Sequence, residues 1–558
     1  MKKVSGASAE KVTGPLACPE MLKAKEIARH NVTGTFSDAD FPASAESITG
    51  KVDVGSDAAE AAAMYADIAW LPLAKIVASP CLLDASTQVA DFGREIIQGE
   101  LGDGYFLSAV AIVASHAHVL DAVVPEPKYA DQGVYSFAFF ANGRWEEVVV
   151  DERIPCDDKG PIFSVLANSD EFWLPLLEKA YAKWRGGAYA SLIGGSVGDA
   201  LAELTGGIPI TIDLADMLGQ LEGRNELLWE ALHDNFSSGT HLLSFMRRAP
   251  AKQYDTSSGL LPNLAYPVLD MVAHPSIVKG QMTRLVRLRN PWGVVNYRGA
   301  WGDDDPVWTV EVMDELDHSP SADSTFWMLW SDALKLFTTA HSCHMVDSSL
   351  QHVFLPGKWA GRNRGGPPTQ PTWFKNPQFR LTTLSRNSEV TIWLEQDKKL
   401  DGKQRKHVGL VVVPTNGKDQ TRVYAPIEDG EARDVTNARS TVREIFIPDA
   451  GVYNVVAFTS EPGAEASFTI GAVCRKNIAF ETWNGWKALP GSTVPKASMA
   501  RPEGKEPTER ATVPPIRVLD VVAEDSGRRD KTIRAERDRT QLDRYALFDS
   551  RNRGQRRR

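Results

Sequence analysis

The stretch Gln98-Gly99-Glu100-Leu101-Gly102-Asp103-Gly104-Tyr105-Phe106-Leu107 is the part of this chain best suited to chemistry. Its glycines and Asp103 make a tight turn, and the apolar run from Tyr105 to Leu120 that follows reads as a helix. A residue at such a junction meets unpaired backbone N–H groups and the positive end of the helix dipole. A thiol placed there is stabilised as a thiolate, and a glutamine a few residues upstream is an amide donor for a developing oxyanion. The residue at the junction is Gly104, which has no side chain and cannot attack a carbonyl.

Other stretches belong with this one. The signature resembles the calpain family's Gln-Gly-x-Leu-Gly-Asp-Cys-Trp-Phe-Leu, with Gly104 at the cysteine and Tyr105 at the tryptophan. Phe36 to Pro42 is similar to a segment found upstream of calpain cores. Glu171 to Lys183 and Thr205-Gly206-Gly207 are similar to segments within them, as is Arg289-Asn290-Pro291-Trp292-Gly293. Trp373 to Phe379, Pro448 to Tyr453 and Glu461-Pro462-Gly463 resemble the opening and closing parts of the β-sandwich that follows the core. The resemblance covers residues 36 to 475. It implies an α+β fold: a papain-like core with a helical and a β-rich subdomain, then an antiparallel calpain-type sandwich.

The resemblance also assigns positions. Gln98 stands at the oxyanion glutamine and Asn290 at the residue that orients the imidazole, with Trp292 shielding it. The family's histidine lies in Gly-His-Ala-Tyr-Ser-Val, where this chain has Asn263-Leu264-Ala265-Tyr266-Pro267-Val268, so Leu264 takes its place. Nucleophile and base are both gone, and Asn290 has no ring to orient. His233, His241 and His274 are read as ordinary loop or surface histidines, His274 in a hairpin loop. Ser108 lacks a base, and Cys81 and Cys156 lie in other segments. The expectation is an inactive pseudopeptidase that holds partners, an extended peptide in the old cleft among them. The alternatives are a calcium-dependent cysteine endopeptidase and a cytoskeletal structural protein. Chains of this degenerate kind resemble the calpain-like proteins of kinetoplastids.

Calpain cores take calcium through carboxylates. By resemblance the first site is Glu95 with Glu178. The second keeps Asp303 and Asp323 but has Asn296 and Thr325 where the family has glutamates. At most one weak ion is expected. No EF-hand loop is present, and Glu428-Asp429-Gly430-Glu431 is too short an acidic loop to assign.

A chain of 558 residues needs several domains. The expected divisions are a flexible extension or short helix (1–35), the helical (36–207) and β-rich (208–350) subdomains, the sandwich (351–483) and a disordered basic tail (484–558). Within the second subdomain, Leu285–Asn290, Thr309–Val312 and Phe326–Trp330 read as strands and Asp332–Thr339 as a helix. Asn142-Gly143 marks a hairpin between Tyr135–Phe140 and Trp145–Asp151. In the sandwich region, strands recur around Leu381, Val390–Glu395, Val408–Val413, Val423–Ala425, Val442–Ile447, Tyr453–Phe458 and Phe468–Val473.

The net charge of −10 gives no reason to expect nucleic-acid binding. From Ser526 to Arg558, 12 Lys and Arg face 5 Asp and Glu, a local +7 suited to anionic membranes or acidic cytoskeletal partners. Five dispersed cysteines form no disulfide or metal pattern. The sequence shows no secretory core, bilayer-length apolar run or second-position glycine for myristoylation, and a cytoplasmic chain is expected.

Overall fold

A computed structural model describes residues 21–31, 35–50, 67–83, 96–166, 170–248, 257–275, 282–291, 297–319, 324–346, 350–397, 405–414, 440–447 and 449–482. Glu95, Trp292, Asn296, Asp323, Cys18, the strand expected at Val423–Ala425, the Glu428–Glu431 loop and the basic tail lie outside the described residues.

The helical lobe is built on α2 (Gly104–Ala114), α3 (Trp173–Arg185) and α4 (Val197–Thr205). In α2 every residue from Phe106 to Ala114 is buried, as expected of a helix apolar on all sides. Phe106 stacks on Tyr181 of α3 with ring centroids 4.2 Å apart. Gly99 is required in the approach to α2: a Cβ there would lie 2.3 Å from the Ile162 carbonyl oxygen. The hairpin β1 (Val134–Ala141) and β2 (Arg144–Asp151) turns at Asn142 and Gly143, whose φ values are 52° and 74°. Both central residues are left-handed, which matches the twist of a two-residue hairpin.

Within the segment expected as a flexible extension or a short helix lies a docked helix, α1 (Leu22–His30). The Glu147 carboxylate on β2 accepts the Lys23 and Ala24 backbone N–H groups at 2.7 and 2.9 Å. A residue distant in sequence thus caps α1, which local sequence cannot reveal.

The β lobe is a six-stranded antiparallel sheet. Its strands are β3 (Ile208–Asp213), β4 (His241–Met246), β5 (Ala265–Pro275), β6 (Met282–Arg289), β7 (Thr325–Leu329) and β8 (Thr339–His344), in the order β7-β6-β5-β4-β8-β3. The stretch Thr309–Val312, expected as a strand, begins helix α5 (Val310–Glu315). The Thr309 hydroxyl accepts the Val312 N–H, a side-chain cap that overrides the β-branched composition. His274 lies in β5 rather than in a loop, and the helix expected over Asp332–Thr339 spans Trp330–Leu336.

The sandwich pairs two four-stranded antiparallel sheets. One has the order β9 (Gln351–Trp359), β15 (Ala466–Cys474), β11 (Ser388–Gln396), β13 (Ser440–Ile447). The other runs β12 (Val408–Pro414), β14 (Gly451–Thr459), β10 (Gln378–Thr383), β16 (Ile478–Thr482). Phe354 and Trp393 of the sandwich share an apolar cluster with Phe140 of the hairpin and the β-lobe core. The Glu395 carboxylate accepts the Asn142 N–H at 3.2 Å, so the sandwich is seated against the core by apolar and polar contacts.

Candidate functional site

The two lobes meet where α2 crosses the start of β5. The Ala265 backbone N–H donates to Ser108 Oγ at 3.4 Å, one helical turn beyond Gly104. At the other end of α2, Arg289 Nη1 donates to Ser115 Oγ at 3.3 Å. Asn290 follows directly, fully buried, its N–H donating to the Ser324 carbonyl at 2.7 Å. The structure thus brings the signature helix, the segment at Leu264 and the Arg289-Asn290 segment to one lobe junction.

Gly104 is the first residue of α2 and is half-buried. A Cβ built on it would lie 3.4 Å from Gln98 Oε1 and 3.8 Å from Gln98 Nε2. The position therefore adjoins the glutamine amide and has room for a side chain. Gln98 Nε2 donates to the Leu101 carbonyl at 2.5 Å, so the amide donor closes its own turn. Gln98 Oε1 has no hydrogen-bond partner among the described residues. In this arrangement the oxygen, not the donor, is nearest residue 104.

Leu264 is 2% exposed, and its side chain belongs to the β-lobe core with Tyr266 and Val268. Ala265 belongs to the helical-lobe cluster. Strand alternation accounts for the difference, because neighbouring residues point to opposite faces. At this junction Ala265, not Leu264, faces α2. Asn263 beside it adopts φ 58°.

The histidines near in sequence are held elsewhere. His233 stacks on Trp229. His241 stacks on His344 at a centroid distance of 4.4 Å, and burial drives its pKa well below the usual range. His274 lies 3.3 Å from Glu315. His116, next to the Arg289 contact, is buried and its pKa is lowered to about 4, chiefly by desolvation. The buried cysteines are poor nucleophiles. Burial pushes the Cys156 thiol to about 11 and the Cys343 thiol to about 12, and raises that of Cys474. Cys81, half-buried, donates to the Asp170 carbonyl.

Glu178 lies in α3, 1% exposed, and its Oε2 accepts the Ser164 N–H at 3.1 Å. The fully buried Asp103 carboxyl is within hydrogen-bonding reach, and desolvation raises the Glu178 pKa. In the sequence Asp103 is only part of the signature turn. Its side chain does not cap α2, and an acid at a helix start gives no sequence sign that it turns inward. Two adjacent buried carboxyls are a hard-oxygen donor set, which fits calcium in chemistry. At the second set, Asp303 Oδ1 lies 3.6 Å from His318 Nε2, and Thr325, buried in β7, supplies no carboxylate. That set fits the ion poorly. Among the described residues no group of three or more His, Cys, Asp or Glu is placed to hold a metal.

Comparison with known proteins decides the family. Residues 36–344 match the model described as calpain family cysteine protease, and residues 355–472 match calpain large subunit, domain III. The chain belongs to the calpain family. It is 32% identical over 427 residues to the calpain-type cysteine protease DEK1 of Zea mays, covering 73% of this chain and 19% of that protein. The Arabidopsis thaliana protein of the same name is 32% identical over 423 residues, with 72% and 19% covered. Human calpain-9 is 29% identical over 491 residues, with 81% and 66% covered. The chain thus spans about a fifth of the length of the plant relatives. The calpain core and domain III account for the two lobes and the sandwich, and no described helix is long and apolar enough to cross a membrane.

Proposed function

We propose that this chain is a calpain-like protein without peptidase activity, acting through protein–protein contacts made on the calpain frame. The observation that carries this reading is Gly104: the residue at the start of α2, beside the Gln98 amide, has no side chain. A cysteine peptidase needs a thiolate, an imidazole to exchange its proton and a group that orients the imidazole. Glycine removes the first, and Leu264 stands for the second with its side chain in an apolar core. The described buried thiols remain protonated at neutral pH because desolvation raises their pKa values. Gln98, donating to Leu101, works as a turn brace. An extended peptide held in the junction would be bound and left intact. The basic segment 526–558 would add contact with acidic cytoskeletal or anionic membrane surfaces in the cytoplasm.

If calcium binds, Glu178 and Asp103 would hold it weakly, and the ion would supply charge that offsets two buried carboxylates. The kinetoplastid type of degenerate calpain is the group whose features this reading shares.

The second reading, a calcium-dependent cysteine endopeptidase, is favoured by the family match over residues 36–344. One experiment separates the two. The purified chain is incubated with casein and calpain-type fluorogenic peptides at millimolar calcium, and in parallel with a thiol-directed epoxide. No turnover and no covalent adduct are expected. Calcium-dependent cleavage that stays with the chain through purification would overturn the inactive reading. Affinity capture with and without calcium then tests the binding role, and specific partners that depend on the lobe junction are expected.

A further inference from the structure

The interface between the lobes contains a short polar row in an otherwise apolar layer. Thr211 on β3, His341 on β8, Ser244 on β4 and Pro267 on β5 are directly paired across four adjacent strands. Direct partners point to the same face of a sheet. The face is that of Leu242, Cys343 and Ala265, which pack into the helical-lobe cluster. α4 covers it: a Cβ on Gly198 would lie 3.4 Å from Thr211 Oγ1 and 3.3 Å from Pro209.

His341 and Ser244 are both 0% exposed. The His341 ring uses Nδ1 for a 3.2 Å hydrogen bond with the Thr211 hydroxyl. Its Nε2 has no partner among the described residues, and neither has Ser244 Oγ. A buried polar atom without a partner costs about 1–3 kcal/mol. Here two such atoms stand on neighbouring strands, where opposed Cβ atoms are about 5 Å apart. They do not bond each other directly. Two unpartnered polar atoms on adjacent strands of a closed layer are what an internal water molecule satisfies.

We propose that a single buried water bridges His341 Nε2 and Ser244 Oγ and completes the polar row at the junction of the two lobes. The water is a structural ligand of the interface. It lets a neutral histidine sit in an apolar layer with both ring nitrogens satisfied, one donating and one accepting. Burial supports the neutral state, holding the His341 pKa at about 3. The row is separate from Gly104 and Gln98, so the proposal stands whether or not the chain cleaves peptides.

The test is a crystal structure of the unmodified chain at a resolution that defines ordered water. A single peak within about 2.7–3.2 Å of both atoms is expected. A direct Ser244–His341 hydrogen bond, or an empty gap, would overturn the proposal. Water-oxygen magnetic relaxation dispersion gives an independent solution measurement. Ser244→Val, which removes the hydroxyl that would hold the water, should lose one long-lived water relative to the unmodified chain. An unchanged count in the folded variant would also overturn it. If Ser244→Val does not fold, the crystallographic result decides alone.

Discussion

Gly104→Cys asks directly whether a base survives at the junction. The substitution is sterically mild, since the new Cβ meets only the Gln98 amide at 3.4–3.9 Å. Gly104 also lacks a positive φ, so a side chain brings no backbone strain there. An ordinary thiol has a pKa of about 8.5, which leaves about 3% thiolate at pH 7 and about 0.1% at pH 5.5. The start of α2 lowers that pKa, while the buried Asp103 and Glu178 carboxyls oppose ionisation when charged. With no imidazole at hand, alkylation of the introduced thiol by iodoacetamide, followed by peptide mass spectrometry, should rise about tenfold per pH unit between pH 5 and 8. A histidine-paired thiol has a pKa of about 3–4 and would give a flat profile over the same range. At pH 5.5 such a pair would hold roughly a thousandfold more thiolate. Its lower nucleophilicity, with a Brønsted slope of about 0.4–0.5, cuts the net gain to roughly three- to tenfold. The slope of the profile is therefore the sharper readout. A plateau below pH 7 in Gly104→Cys alone would refute the claim that no base remains. The companion Gly104→Cys/Leu264→His variant should flatten the profile if position 264 is that of the base. A profile that stays steep would show that Leu264, turned into the β-lobe core, is not the equivalent position.

Lys179→Met should destabilise the helical lobe by about 3 kcal/mol in urea unfolding, the low end for breaking a buried ion pair, because Arg153 still faces Asp151. A loss below about 1 kcal/mol would mean the pair is neutral in balance. His116, His241 and His341 are held neutral by burial, with pKa values below that of an unfolded histidine at about 6.5. Their contribution is present above pH 6.5 and is lost as pH falls, by about 1.4 kcal/mol per pH unit for each histidine. The urea midpoint should drop steeply between pH 6.5 and 4.5, and a midpoint constant over that range would contradict the burial argument. Calcium should raise the melting temperature only at concentrations above about 10⁻⁴ M, with magnesium as the control. A shift that survives Glu178→Ala, or evidence of two tight sites, would exclude the assignment.

Local signals carried much of the fold. Asn142-Gly143 marked the β1–β2 hairpin, and recurrence at turn-bounded intervals marked β10, β11, β12, β13, β14 and β15. β9 escaped because Pro356 and Gly357 interrupt it, residues that argue against a strand in sequence but are tolerated at the edge of a sheet. Thr309–Val312 looked like a strand by composition, and only the Thr309 cap shows why a helix starts there. The sequence reading of the site rested on Gly104 and Leu264 at the nucleophile and base positions of the family motif. What sequence did not carry was direction. The Gln98 donor turns to Leu101, Leu264 just before β5 turns into the β-lobe core, and Asp103 turns toward Glu178 instead of capping α2. Each of these depends on a partner distant in the chain or on the phase of a strand.

The frame does not depend on side chains at positions 104 and 264, because other atoms join the lobes. The lobes are joined by Ser108 with the Ala265 N–H, by Ser115 with Arg289, and by the Asn290 N–H with Ser324. None of these contacts uses a side chain at position 104 or 264. Glycine at the first position of α2 costs little, since the helix is secured by nine consecutive buried residues. Leucine at 264 adds to the β-lobe core, where a histidine would need a buried hydrogen-bond partner. The contacts that join the lobes are therefore indifferent to what stands at 104 and 264. A family match then testifies to the frame, and activity has to be tested through positions 104 and 264, which the contacts joining the lobes do not use.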